Sequence, residues 1–110
     1  MYARMIQLTA KPGRGKELVD TMVQRPLSVL EQQPGFVEGI ALIPETEPDQ
    51  FIGLSIWKSK ADADRFAEGP GQQQLESYKP LLQGEPTFRS FQLAASTVLN
   101  TRARGAAAPG

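Results

Sequence analysis

Leu54-Ser55-Ile56-Trp57-Lys58-Ser59-Lys60 is the stretch that decides the fold. Its first half ends an alternation that starts at Gln50: Ile52, Leu54 and Ile56 share one parity, and Phe51, Gly53, Ser55 and Trp57 share the other. A period of two over eight residues is the mark of a β-strand. Ser59 then stands where a helix wants its N-cap, with Asp62 at the third helical position as a shortened capping box. A strand that runs straight into a capped helix sets the layer order of the whole chain.

Working downstream, Ala61, Ala63, Phe66 and Ala67 give the helix a small apolar stripe, and Gly69-Pro70-Gly71 breaks it. A second helical piece is expected from Gln72 to Leu82, presenting Leu75, Tyr78, Leu81 and Leu82, with Pro80 restricting its end. Gly84-Glu85-Pro86 is a turn, and Phe88 to Leu99 is expected as the last strand. The remaining Asn100 to Gly110, rich in Ala, Gly and Arg, has no apolar period and is expected to be a disordered tail.

Upstream, Pro44-Glu45-Thr46-Glu47-Pro48-Asp49 is an acidic loop without the spacing or glycine of a calcium loop, and is expected to be solvated. Phe36 to Ile43 is a strand entered from the helix stop Pro34-Gly35. Lys16 to Gln33 carries Leu18, Val19, Met22, Val23, Leu27 and Leu30 at helical spacing. Pro26 inside it predicts a kink or break near residues 22–26. Lys11-Pro12-Gly13-Arg14-Gly15 is a turn that matches no phosphate-loop or dinucleotide pattern. Tyr2 to Ala10 is the first strand, apolar on both parities and so expected at the centre of the sheet.

The order is β-α-β-β-α-β, which predicts an α+β, ferredoxin-like fold: a four-stranded antiparallel sheet with its helices on one face. One domain over residues 1–99 and a tail over 100–110 are expected. Apolar residues on both strand parities imply that something covers the second face, and a homodimer is the expected state.

Composition narrows the chemistry. The 110 residues contain no His and no Cys, which removes thiolate catalysis, the commonest general base and the commonest transition-metal and haem ligands. No metal site and no cofactor are expected. Lys plus Arg and Asp plus Glu are 12 each, giving zero formal charge and no basic stripe for a phosphate backbone, so nucleic acid is not expected as a partner. No apolar run approaches the ~18 residues of a membrane span, and Met1-Tyr2-Ala3-Arg4 lacks a signal-peptide layout. The expected location is the cytoplasm.

With that order in place, Trp57-Lys58-Ser59-Lys60 at the strand-to-helix junction resembles the antibiotic biosynthesis monooxygenase (ABM) superfamily. Lys11-Pro12-Gly13-Arg14-Gly15-Lys16 and Gln33-Pro34-Gly35-Phe36 support the resemblance, which covers residues 2–98. It implies a dimeric α+β barrel and a small hydrophobic ligand. Two branches can be compared residue by residue. The haem-degrading branch has an Asn, a Trp and a His where this chain has Ile6, Phe66 and Glu76, so haem degradation is disfavoured. The quinol-oxygenating branch has an Asn, a Trp and a Tyr where this chain has Gly53, Trp57 and Ala63. What the resemblance then implies is a cofactor-independent monooxygenase acting on a phenol or quinol, with Trp57 as its catalytic candidate. Arg4, Ile6, Arg65, Phe66, Glu76 and Tyr78 are candidates for the substrate pocket. A non-catalytic small-ligand-binding or interaction module on the same barrel is the alternative. A single Trp at a strand end also ordinarily fills the layer between sheet and helix, with its N–H satisfied nearby.

Overall fold

A computed structural model of the chain describes residues 1–99 and 101–102, and the side chains of all of these except 25, 26, 101 and 102. Strand β1 (Tyr2–Thr9) leads to helix α1 (Gly15–Glu31), strands β2 (Phe36–Leu42) and β3 (Gln50–Trp57), then helices α2 (Lys60–Glu68) and α3 (Pro70–Tyr78). A 3-10 turn over Lys79–Leu81 precedes β4 (Thr87–Gln92), and two short strands, β5 (Ala95–Ser96) and β6 (Thr101–Arg102), pair with each other. The main sheet has the order β2-β3-β1-β4 with antiparallel neighbours throughout. This is the expected α+β, ferredoxin-like arrangement, with β1 and β3 at its centre.

Register assigns the two faces. Arg4 lies opposite Ser55, Ile6 opposite Gly53 and Leu8 opposite Phe51, so these residues point together toward the helices. Phe88 on β4 and Ala41 on β2 join that face through their pairing with Ile6 and Gly53. The opposite face carries Met5, Leu54, Ile40, Leu42 and Phe91. Ala3 and Ile56 are buried there, but Leu42 is 50% exposed and Ile40 and Phe91 are each 37% exposed. That side of the sheet is therefore apolar and largely uncovered among the described residues.

The core lies on the helix side. Leu8, Ala10, Leu18, Phe51, Tyr78 and Leu82 form one buried cluster, flanked by Val19, Met22, Leu75 and Leu81. Leu18 is fully buried and anchors α1 to the sheet.

Four local expectations change. Helix α1 runs as a single element of 17 residues through position 26, so no break interrupts it. The second helical piece begins at Pro70, a residue suited to the first helical turn because its missing N–H would be unpaired there. It ends at Tyr78, where the chain tightens into the 3-10 turn containing Pro80. Strand β4 stops at Gln92 instead of running to Leu99; Gln92 pairs with Tyr2, the first residue of β1, and only one more N–H, that of Leu93, follows it by donating to the Met1 carbonyl at 3.0 Å. The chain then folds back on itself locally, with Leu99 N–H donating to Ser96 Oγ at 3.1 Å. The expectation of a disordered tail over 100–110 lies outside the described residues, save for 101–102 in β6.

The acidic loop also differs. Asp49 is not merely solvated: its carboxylate accepts from Gly13 N–H and from Gly15 N–H, each at 3.0 Å. Arg14, at the N-cap of α1, makes no side-chain cap bond, so Asp49 supplies from across the fold what the local sequence lacks. Gly15 permits this approach, since a Cβ there would collide with Pro48 and Asp49.

Candidate functional site

Between the helices and the sheet lies a cavity of about 250 Å³. Its floor is Arg4 and Ile6 of β1 with Phe51, Gly53, Ser55 and Trp57 of β3. Gly53 keeps that floor low; a Cβ there would come within 3.1 Å of both Ile6 and Phe51. The helices contribute side chains at helical spacing, Ala63, Phe66 and Ala67 from α2 and Gly71, Gln74, Leu75 and Tyr78 from α3. Met22, Val23, Leu27 and Leu30 of α1 close the remaining wall. Val23 and Phe88 line it while 46% and 55% exposed, which places them at its rim.

The Trp57 wall is rigid. Its indole is 1% exposed, edge-on to Phe36 at 5.5 Å and tilted against Phe66 at 5.4 Å. The Phe66 ring is itself set by Gly71, where a Cβ would come within 2.8 Å of it. Trp57 Nε1–H donates to Ser55 Oγ at 2.9 Å, and the Ser55 hydroxyl donates to the Arg4 carbonyl at 3.3 Å. The indole N–H is thus satisfied within the wall. Ser59 caps α2 as its position predicts, accepting from Asp62 N–H at 3.2 Å, and this fixes the helix that carries Phe66.

Arg4 is the charged member of the lining. Its Nη2 donates to Asp64 Oδ1 at 2.8 Å and to Tyr2 Oη at 3.3 Å. Lys60 Nζ takes the other oxygen of Asp64 at 2.7 Å. Hydrogen bonds from Lys60 and then Arg4 hold the Asp64 carboxyl below its ordinary range. Burial works against charge on Arg4, but its bonds to Asp64 and Tyr2 outweigh that and raise its affinity for the proton. Tyr2 is shifted down from its ordinary value by hydrogen bonds to Ser90 and Arg4.

Tyr78 differs in kind. It is 3% exposed, its hydroxyl has no hydrogen-bond partner among the described residues, and burial pushes its phenol up to about 12. At neutral pH it is an uncharged wall residue, not a base.

The structure brings Arg4, Ile6, Trp57, Phe66 and Tyr78 to one cavity and leaves Arg65 and Glu76 outside its lining. Arg65 pairs with Asp62 at 3.1 Å and Glu76 with Lys79 at 2.8 Å, both on exposed helix surface. Helical phase explains the split: Ala63, Phe66 and Ala67 share one side of α2 and Gly71, Gln74, Leu75 and Tyr78 one side of α3, and at about 100° per residue Arg65 and Glu76 fall away from those sides. Ser55, the partner of the indole, was not among the sequence candidates. Its placement opposite Arg4 on the same parity as Trp57 was the available signal.

Three comparisons place this geometry. The antibiotic biosynthesis monooxygenase (ABM) family model matches residues 1–76. Among solved structures, NE2512, a protein of unknown function from Nitrosomonas europaea, superposes with a TM-score of 0.77 at 23% identity, covering 87% of this chain and 91% of that one. SnoaB from Streptomyces nogalater, a cofactor-independent oxygenase, gives 0.73 at 16% identity, covering 87% and 95%. A MhuD variant with two manganese protoporphyrin IX bound per active site gives 0.73 at 18% identity, covering 88% and 98%. At these identities the structures share the fold. No curated protein matches the sequence significantly. The family match runs over well more than half of the chain, from β1 into α3, and the chain belongs to the antibiotic biosynthesis monooxygenase family.

Proposed function

We propose that this protein is a cytoplasmic homodimer that oxygenates a small hydrophobic phenol or quinol with O₂ and no cofactor, using the domain formed by residues 1–99. The apolar cavity walled by Trp57 carries the proposal. A family fold alone does not define a reaction, whereas a concave apolar site with a few polar groups is what a small aromatic ligand requires. Arg4, Ile6, Phe66 and Tyr78 form the pocket with Trp57; Arg65 and Glu76 are left out of it.

Such a substrate supplies its own reducing power. In a quinol whose keto tautomer has a ring methylene, loss of a proton gives a carbanion stabilised by the neighbouring oxygen. It reduces O₂ and bonds to one oxygen atom at that carbon. Loss of water then leaves a carbonyl, so CH₂ plus O₂ becomes C=O plus H₂O. The protein's part is to hold the ring in the apolar cavity whose wall includes Trp57, exclude bulk water and keep a positive pole near the developing oxyanion.

Oxygen-electrode measurements with a panel of quinols test this. The expected result is uptake of one O₂ per substrate, slowed in Trp57→Phe, which loses the bond to Ser55. Absence of uptake across the panel, or unchanged turnover in Trp57→Phe, rejects the mechanism. In that event the second reading, a non-catalytic ligand-binding module, stands. It is supported by the engaged indole N–H and by Ile6, Gly53, Ala63, Phe66 and Glu76 at positions where active relatives carry other residues.

The dimer rests on the apolar face bearing Ile40, Leu42 and Phe91. Light scattering at micromolar concentration is expected to give twice the chain mass; a monomer mass rejects it.

A further inference from the structure

We infer that Arg4 selects for ligands carrying an ionised oxygen, a carboxylate or a phenolate, at one end of an otherwise apolar cavity. A guanidinium has five N–H donors. Two belong to Nη2, and these serve Asp64 and Tyr2. Among the described residues nothing else bonds the Arg4 side chain, which leaves the N–H groups of Nε and Nη1 to donate to an oxyanion.

Charge around the guanidinium favours an anion. Asp64 is shared between Arg4 and Lys60, one oxygen to each, so two cations face one carboxylate and the cluster keeps a single positive surplus. No Asp or Glu lines the cavity among the described residues. The guanidinium is also anchored: Asp64 holds it from α2, Tyr2 from its own strand, and the Tyr2 ring centre lies 5.4 Å from the guanidinium carbon. An anchor already ordered loses little freedom when a ligand arrives.

The polarity is confined to one end. Arg4, its cross-strand partner Ser55 and Trp57 share that end of the floor, while Phe51 and Tyr78 wall the other. Arg4 and the Leu8 level, where Phe51 sits, are about 13 Å apart along β1 at roughly 3.3 Å per residue. The fitting ligand is thus a flat hydrocarbon body with its anionic group at the Arg4 end.

The inference rests on the cavity being a ligand site, as proposed above, but its test needs no turnover. Trp57 is the chain's only Trp and lies in the cavity wall, so its fluorescence reports occupancy. Titration with 2-naphthoate and with 2-naphthamide compares one ring system with and without the charge. Wild type is expected to bind naphthoate about tenfold or more tighter than the amide, the scale of one charge-assisted hydrogen-bonded contact. Arg4→Gln is expected to bring the two affinities within about twofold of each other, with circular dichroism and an unchanged Tm as the check on folding. Arg4→Lys, a cation that cannot serve Asp64, Tyr2 and a ligand from separate planar nitrogens, is expected to fall between. A wild-type ratio near one, no binding of either probe, or a preference retained in Arg4→Gln overturns the inference. The wild-type ratio decides even if a variant does not fold. Lack of O₂ uptake leaves an observed preference intact, and an absent preference leaves oxygenation of neutral quinols open.

Discussion

The space between sheet and helices is closed at one end and hollow at the other. At the Leu8–Phe51 end, Leu18 of α1, Tyr78 at the end of α3 and Leu82 beyond it pack into a cluster without exposed members. At the Arg4–Ser55 end, α2 and α3 meet at Gly69 to Gly71, Gly53 withholds a side chain from the floor, and the cavity remains. The two ends use the same strands. What separates them is side-chain size: Leu opposes Phe at one level of the β1–β3 ladder, Ile opposes Gly at the next, and Arg opposes Ser at the third. The packed core sits at the first level and the proposed ligand cavity at the other two.

The sharpest way to break this division is Leu18→Ala. Leu18 is fully buried and absent from the cavity lining, so the substitution is expected to cost about 2–5 kcal/mol in chemical denaturation. Its effect on 2-naphthoate affinity, measured where the variant is folded, should be negligible. Loss of binding in proportion to stability would show that the two ends are one unit.

Gly53→Val makes the converse cut. The added branches enter the cavity between Ile6 and Phe51, so naphthoate affinity is expected to fall roughly tenfold or more, about 1.4 kcal/mol. Calorimetry should show a smaller change in Tm than Leu18→Ala gives, since the Ile6 and Phe51 side chains need give by only a few tenths of an ångström to admit the new Cβ. A variant that binds as wild type removes Gly53 from the site.

Asp49→Ala tests the cap that holds α1 over the closed end. Loss of the two N–H···O bonds from Gly13 and Gly15 is expected to destabilise by about 1 kcal/mol, read as a shift in denaturant midpoint, with binding unaltered.

The smallest expected effect concerns pH at the hollow end. Lys60 and Arg4 hold Asp64 below its ordinary carboxyl range. A folded-state value lower than the unfolded one means the stabilisation is present above the unfolded value and is lost as pH falls through the folded one. Asp64→Asn should therefore flatten the acid limb of the stability–pH curve slightly while lowering the neutral plateau. An identical acid limb in the variant removes Asp64 from the linkage.

Much of the fold was legible because its signals are local. Alternation in 50–57, the Ser59 cap and the Gly-Pro breaks each act within a few residues of where they are read. The length of β4 was not legible, because a strand ends where its partner ends, and that partner starts 90 residues earlier at Tyr2. The Asp49 cap was hidden for the same reason, lying 34 and 36 residues from the N–H groups it serves. At the site, strand parity would have grouped Arg4, Ile6, Ser55 and Trp57. Family spacing instead carried attention to Glu76, which the phase of α3 turns outward, and Arg65 on α2 is turned outward in the same way.

That long-range cap has a kinetic side. The first turn of α1 gains its acceptor only after the chain between Gly13 and Asp49 has closed into a loop, and the entropy of closure precedes the gain. Helix start and strand start are then one opening unit. In native-state hydrogen exchange, Gly13 and Gly15 amides should open together with Ala10, whose N–H is held by the Asp49 carbonyl at 2.7 Å. A helix that would otherwise fray alone is timed by a strand that comes two elements later.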